Sequence, residues 1–139
     1  MSMMLGDMAV TEVVRYLSQN LDVKDESHTE AIPAYKYERP QKQTGEYIAV
    51  NHLPFVHRRV VEEGIVNVNV HVPVLKSNLP DIKRLATIAE AIVELFPEGT
   101  YLGDKAYYEF LSDSRPTLDE DKTYYVNLQL QVTFNNLNS

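Results

Sequence analysis

The chain has 139 residues, which suits one domain with a buried core and is too short for two ordinary domains. Thirteen basic against 20 acidic side chains give a net charge of −7, which argues against a protein that wraps nucleic acid, since phosphate binding needs a basic surplus. The lack of Cys excludes disulfides, cysteine-ligated metal centres and thiol nucleophiles.

The two ends of the chain carry little that could be buried. We expect a single α+β domain over residues 1–139, with flexible ends at 1–6 and 136–139. The start lacks the basic region and long apolar core of a signal peptide, and no segment approaches the roughly 20 apolar residues that span a bilayer. We therefore expect a soluble protein with no membrane partner that is not secreted by a signal peptide.

The first third of the chain predicts one helix and two short strands. Helical spacing of the apolar residues predicts a helix over Met8–Leu21, with Asp7 as its N-cap, and a polar loop follows at 22–30. Strands are predicted at Ala31–Tyr37 and Glu46–Leu53. Pro33 favours an edge position for the first of them, because proline cannot donate to a sheet.

The middle of the chain holds the strongest strand signal. Over Ile65–Val74, valines at every second position alternate with Asn67, Asn69 and His71, which predicts a strand with one buried and one polar face. A second helix is predicted over Leu79–Phe96, capped by Asn78 and ended by the following proline.

The last third predicts a long hairpin with arms Tyr101–Ser112 and Thr123–Asn135 and a bulge at Gly103-Asp104. Thirteen residues exceed the usual strand length, so part of the second arm is expected to extend beyond the core sheet. The fold class is therefore α+β, with a mainly antiparallel sheet, two helices packed on one face and a long C-terminal β-hairpin.

Motifs that carry chemistry are missing from the sequence. There is no Gly-x-Ser-x-Gly elbow and no phosphate-binding loop, and His52 and His57 lack the spacing of a helical zinc pair. We predict a protein that is not an enzyme, with no catalytic, cofactor-binding or metal-binding residues and no cofactor. The alternatives are a small hydrolase that uses His52 and His57 with nearby carboxylates, and a non-catalytic or antitoxin-like protein-binding module.

The acidic residues concentrate in two stretches. Residues 101–122 hold six acidic and three basic side chains, and residues 22–30 hold four and one, so each stretch carries −3. The run Asp119, Glu120 and Asp121 is interpreted as a solvated hairpin tip, with a divalent-cation site as the less favoured alternative. Pairing of this tip with Arg58 or Arg59 of a neighbouring subunit is a further hypothesis.

The outward faces of the two longest strands carry amides and hydroxyls with almost no charge. A single-chain sheet face usually carries Lys and Glu, whereas a face with few charges suits contact with another subunit. The predicted interface residues on this face are Asn67, Asn69, His71, Asn127, Gln129 and Gln131.

The chain resembles the tail-terminator or tail-completion (head–tail joining) proteins of bacteriophages and prophages. The resemblance lies in the element order, the amino-acid sequences of Glu46–Asn51 and Gly64–Pro73, and the long terminal hairpin. The resemblance implies a homo-oligomeric, typically hexameric ring in the virion that caps the tail tube, meets the head connector and lets DNA pass as cargo. It also implies assembly in the host cytoplasm, no catalytic residues, and contact between neighbours through a long hairpin such as 101–135.

Overall fold

The computed structural model describes residues 5–57, 61–103 and 106–135. Two helices and eight strands occur in these residues. In chain order they are α1 (Leu5–Asn20), β1 (Ala34–Lys36), β2 (Tyr47–His52), β3 (Val56–His57), β4 (Val61–Pro73), α2 (Ile82–Glu94), β5 (Thr100–Leu102), β6 (Ala106–Asp113), β7 (Thr117–Leu118) and β8 (Thr123–Asn135).

The strands form one sheet in the order β1-β2-β4-β8-β6-β5, with β3 paired to β4 and β7 paired to β8. The β1–β2 pair is parallel and the other pairs are antiparallel. This confirms the α+β fold and the mainly antiparallel sheet. β1 is an edge strand, as predicted, but it covers only Ala34–Lys36 of the predicted Ala31–Tyr37.

β4 and β8 form the centre of the sheet. They pair without interruption from Val61↔Asn135 to Pro73↔Thr123. The expectation that part of the last strand extends beyond the sheet is therefore wrong, because β4 begins four residues earlier than predicted and matches β8 along its whole length.

Both helices pack on one face of this sheet, as predicted. The inward side chains share one apolar core with the two helices, and alternation along each strand leaves the other face polar. The core includes Val10, Val13 and Leu17 of α1, Leu85, Ile88 and Ile92 of α2, and Ile48, Val50, Val66, Val68, Val70, Leu128, Leu130 and Val132 of the sheet.

The starts of the two helices differ from the predictions. α1 begins at Leu5, so Asp7 lies in its first turn and does not cap it. The carboxylate of Asp7 instead accepts a hydrogen bond from the Tyr37 hydroxyl (2.8 Å). α2 is capped by Asp81, which accepts a hydrogen bond from the Arg84 backbone N–H, while Asn78 takes a left-handed φ of 62° outside the helix.

Two smaller predictions also need correction. Leu5 and Gly6, which we expected to be flexible, belong to α1, whereas residues 1–4 and 136–139 lie outside the described part of the chain. Gly103, at φ +68°, lies between the paired strands β5 and β6 and so belongs to a turn. The register shift lies elsewhere, between Phe110 and Ser112, and Asp104 is outside the described residues.

Candidate functional site

Three aromatic rings stack across the polar sheet face, near one end of its central strands. Tyr47 on β2, His71 on β4 and Tyr125 on β8 lie directly opposite one another in the sheet register. The Tyr47 and His71 ring centroids are 4.2 Å apart, and those of His71 and Tyr125 are 5.1 Å apart. His71 is only 6% exposed, and this burial lowers the pKa of its imidazole, so the ring is neutral at pH 7.

A hydrogen-bond chain fixes the tautomer of His71. Its Nδ1 lies 3.0 Å from Thr123 Oγ1, and the Thr123 hydroxyl donates to Asp121 Oδ1 at 2.5 Å. A hydroxyl has one proton and an ionised carboxylate can only accept, so Thr123 must accept from His71. Nδ1 therefore carries the imidazole proton, and Nε2 carries the lone pair.

Asp121 anchors the hairpin tip to this face. Its Oδ2 accepts hydrogen bonds from the Tyr47 hydroxyl (2.6 Å) and from Arg39 Nε (3.1 Å). Burial raises the pKa of Asp121, but hydrogen bonds from Thr123 and Tyr47 outweigh it and hold that pKa below its ordinary value. Burial, followed by the hydrogen bond to Asp121, raises the pKa of the Tyr47 phenol.

The prediction of a solvated tip is therefore wrong for Asp121, whose side chain is 12% exposed. The tip folds back because β7 pairs with the start of β8. Asp119 is 39% exposed and Glu120 is exposed, as expected of a tip. Sequence reasoning missed Arg39, which lies 82 positions from its partner Asp121.

His71, Asp119 and Asp121 offer ligand atoms that lie within 4.8 Å of one another, which is close enough for a metal ion. The hydrogen bonds give this cluster a structural role. The Nδ1 of His71 carries a proton, and both oxygens of Asp121 accept hydrogen bonds, one of them from the Arg39 cation. These contacts hold the hairpin tip against the sheet face.

Side-chain amides form a network beside the stacked rings. Asn67 Nδ2 donates to Asn51 Oδ1 (2.9 Å), while Asn67 Oδ1 accepts from Gln129 Nε2 (3.0 Å) and Asn127 Nδ2 (3.3 Å). Two carbonyl oxygens, Asn69 Oδ1 and Asn127 Oδ1, are buried with no hydrogen-bond partner in the described part of the chain. The network thus joins β2, β4 and β8 through side-chain hydrogen bonds across the polar face.

The six predicted interface residues on the sheet come together on one face. Asn67 and His71 are each only 6% exposed and form its floor. The other four, Asn69, Asn127, Gln129 and Gln131, are half-buried. The predicted partners of the hairpin tip, Arg58 and Arg59, lie outside the described residues.

A cavity of about 520 Å³ opens over the amide network and the stacked rings. The segment 37–41 forms one wall, and Asp119 and Tyr125 form the other. Tyr37 turns the chain there with a left-handed φ of 69°, and its N–H donates to Val50 O (2.7 Å). A smaller cavity of about 360 Å³ shares Tyr125 and Asn127 with it.

His52, one of the two histidines of the hydrolase alternative, is not among the residues that line this cavity. The His52 ring packs against Tyr37 and Phe55, and its Nδ1 lies 2.8 Å from the backbone oxygen of Leu53. None of these contacts is a carboxylate of the kind that orients a catalytic base. The side chain of His57 lies outside the described residues.

A buried ion pair links α2 to the start of β2. The Arg84 guanidinium donates to both carboxylate oxygens of Glu46, at 2.7 and 3.0 Å, and to the backbone oxygen of Val23 at 2.8 Å. The Arg84 side chain is 4% exposed and that of Glu46 is 12% exposed. The hydrogen bond to Glu46 raises the pKa of Arg84, so the guanidinium stays charged.

No model of a known protein family matches the sequence, and no curated protein matches it. No helix in the described residues is long and apolar enough to cross a membrane. The fold and the contacts on the polar face therefore carry the inference of function.

Proposed function

We propose that this chain is a non-enzymatic structural protein of a phage or prophage particle, which self-associates into a ring at the tail end or head–tail junction. The observation that carries the proposal is an uncharged band of side chains across the sheet face opposite the helices. The band consists of Asn67, Asn69, His71, Asn127, Gln129 and Gln131. Its outermost members, Asn69, Asn127 and Gln129, are half-buried in a single chain. Amides can be covered by a neighbouring subunit at lower desolvation cost than charges.

A charged group at each end of this band has a partner within the chain, and two further carboxylates, Glu38 and Asp119, lie on the walls of the cavity above it. Arg39 pairs with Asp121 at one end, and Gln131 donates to Glu63 at the other (3.4 Å). The centre of the face thus offers hydrogen-bonding groups without unpaired charge. Such a surface favours a specific contact with another protein over a solvated exterior.

Both edges of the sheet are also open to pairing with another chain. β1 and β5 are its terminal strands, and residues 109–113 of β6 pair only with β8 among the described strands. Large apolar side chains are exposed on the side of the sheet formed by β5, β6 and β7. They are Tyr101, Leu111 and Leu118, each at least 50% exposed. A contact between two different surfaces, repeated by rotation, closes a ring.

The proposed setting follows from the resemblance. The ring would lie in the virion after assembly in the host cytoplasm, between tail-tube and head-connector proteins, with DNA as passing cargo. The net charge of −7 supports this setting, because DNA adheres to basic surfaces and an acidic or neutral lumen lets it slide.

The test is the mass of the full chain in solution, by light scattering after size exclusion at several concentrations. We expect a concentration-dependent oligomer, seen as rings by negative-stain electron microscopy. Gln129→Lys should weaken association about tenfold or more, because it introduces a charge that must be desolvated. Gln19→Lys, on the exposed face of α1, is the matched control and should leave the mass unchanged.

A chain that stays monomeric at the highest concentration contradicts the proposal. Equal effects of Gln129→Lys and Gln19→Lys would show that the sheet face is not the contact surface. Co-purification with tail-tube protein then tests the proposed position in the particle, since a ring at the tail end must bind the end of the tube.

A further inference from the structure

The outer edge of β6 carries a stretch of backbone without a partner strand. Residues 106–108 pair with β5, whereas residues 109–113 pair only with β8 among the described strands. The Ser114 N–H donates to Asn127 O (2.9 Å), and hydrogen bonds in an antiparallel pair use every second residue, so the backbone groups of Asp113 point away from β8. Residues 109 and 111–113 are exposed. An edge of this kind can take up a further strand.

The opposite edge of the sheet, formed by β1, is open as well. The Tyr37 N–H donates to Val50 O (2.7 Å), and hydrogen bonds along a parallel pair again use every second residue. The N–H groups of Ala34 and Lys36 therefore point away from β2. Among the described strands β1 pairs only with β2, so these two donors have no partner strand.

The charges of the two edges differ in sign. Glu109 and Asp113 are the charged residues of the β6 edge, and pairing this edge with itself would bring both carboxylates of each copy together, which destabilises cross-strand contacts. β1 carries one charged residue, Lys36, and the other terminal strand, β5, carries none. Lys36 Nζ lies 3.1 Å from Asp7 Oδ1, but this pair is 40% and 37% exposed, so Lys36 remains accessible to a second carboxylate.

Lys36 and Asp113 also project to the same side of the sheet. Lys36 lies opposite Val50 and Asp113 lies opposite Leu128, and both of these partners belong to the core beneath the helices. Directly opposite residues of paired strands share a face. In a sheet that continues from one copy to the next, the Lys36 and Asp113 side chains would therefore lie on the same face, the helix side.

We propose that the β6 edge, residues 109–113, pairs with the β1 edge of a second copy of this chain, so that the sheet continues from one subunit to the next. The two edges lie on opposite sides of one chain, so the contact repeats from copy to copy and closes a ring if the rotation closes. The inference rests on the ring proposed above and adds an edge contact to the contact proposed for the sheet face. The acidic residues and the register shift between Phe110 and Ser112 oppose pairing with unrelated strands.

The experiment reverses the charge of each edge in the full chain. Asp113→Lys and Lys36→Glu should each weaken self-association about tenfold, measured by light scattering over a concentration series. An equimolar mixture of the two variants should assemble like the native chain, because alternating copies then join opposite charges at every contact. Glu26→Lys, in the exposed loop 22–30, changes the net charge as Asp113→Lys does and should assemble like the native chain.

Hydrogen exchange of the unmodified chain gives a second readout that needs no variant. Assembly should slow exchange at the backbone N–H groups of Ala34, Lys36 and Asp113 and leave that of Glu26 unchanged. Equal exchange in the assembled and the dilute chain, or a mixture that assembles no better than its components, would overturn the edge contact and retain the ring. A chain that is monomeric at every concentration, alone and as the mixture, would refute both.

Two further outcomes separate the edge contact from its setting. Slowed exchange together with linear assemblies would retain the edge contact and refute the ring. Slowed exchange that requires added tail-tube protein would identify that protein as the occupant of the edge and overturn the proposal.

Discussion

Replacing Arg84 with leucine should expose the dependence of the fold on its buried ion pair. The substitution removes the cation but leaves the Glu46 carboxylate, 12% exposed, with His28 Nε2 at 3.5 Å as its remaining ring contact. A buried charge without its partner is strongly destabilising, whereas an exposed pair contributes little. We therefore expect the free energy of unfolding to fall by several kcal/mol.

The contacts set the size of this loss. Two charge-assisted hydrogen bonds join Arg84 to Glu46, and each contributes roughly 1.5–3 kcal/mol. The oxygen of Val23 also loses its donor, while residual hydration of Glu46 and burial of the new leucine offset part of the loss. The net expectation is about 3–5 kcal/mol, which corresponds to a drop in Tm of about 12–20 °C at roughly 4 °C per kcal/mol.

Urea unfolding followed by circular dichroism measures the effect. Lys83→Leu, on the exposed side of the same helix, should change stability by less than about 0.5 kcal/mol. In a double-mutant cycle with Glu46→Gln, the two losses should fail to add by more than about 1 kcal/mol. A loss under about 1 kcal/mol for Arg84→Leu, or additive losses, would refute the assigned role of the pair.

Three further predictions concern packing and pH. Ile88→Ala, in the core, should cost about 2–5 kcal/mol in urea unfolding, and a cost under about 1 would contradict the packing of α2. Gly64→Ala would place a Cβ 2.4 Å from the Phe55 ring, so a loss of about 1–3 kcal/mol is expected in thermal unfolding, and an unchanged Tm would show that the ring moves freely. Because burial lowers the pKa of His71 in the folded state, the unfolded state takes up the proton first, and stability should fall as pH drops below 6.5. The lowered pKa of Asp121 adds a loss only below about its ordinary 3.8, so a urea series from pH 8 to 4.5 isolates the histidine. A His71→Phe variant with the same pH dependence as the native chain would be the contrary result.

Alternation along the strands was enough to predict the centre of the fold. The strand Thr123–Asn135 has the predicted bounds, because its apolar residues occupy every second position without interruption. β4 begins at Val61 instead of Ile65, since Gly64 and the glutamates before it hide the alternation although their backbone still pairs with β8. The Phe55 ring covers Gly64 and supplies the apolar group that this position lacks.

The sequence pattern did not predict the contacts within the site. Period two places His71 and Tyr125 on the polar face, but their stacking depends on the register between strands, which local pattern does not determine. Arg39 is part of a turn in the sequence, and it meets Asp121, 82 positions away, only when β2, β4 and β8 are paired in the sheet. The only sequence feature that could have pointed to this contact is a basic residue in a polar turn. That feature is too common to be diagnostic.

The position of β8 has a consequence for the order of folding. It follows all other described strands in the chain, yet it lies in the middle of the sheet between β4 and β6. Until its final residues leave the ribosome, both neighbours have an unpaired inner edge, and the chain cannot complete its core. We expect the core to form only after β8 has been synthesised, and then in milliseconds to seconds, as is typical of sheets that depend on distant pairings. A growing chain of this kind benefits from protection of β4 by chaperones until its partner strand arrives.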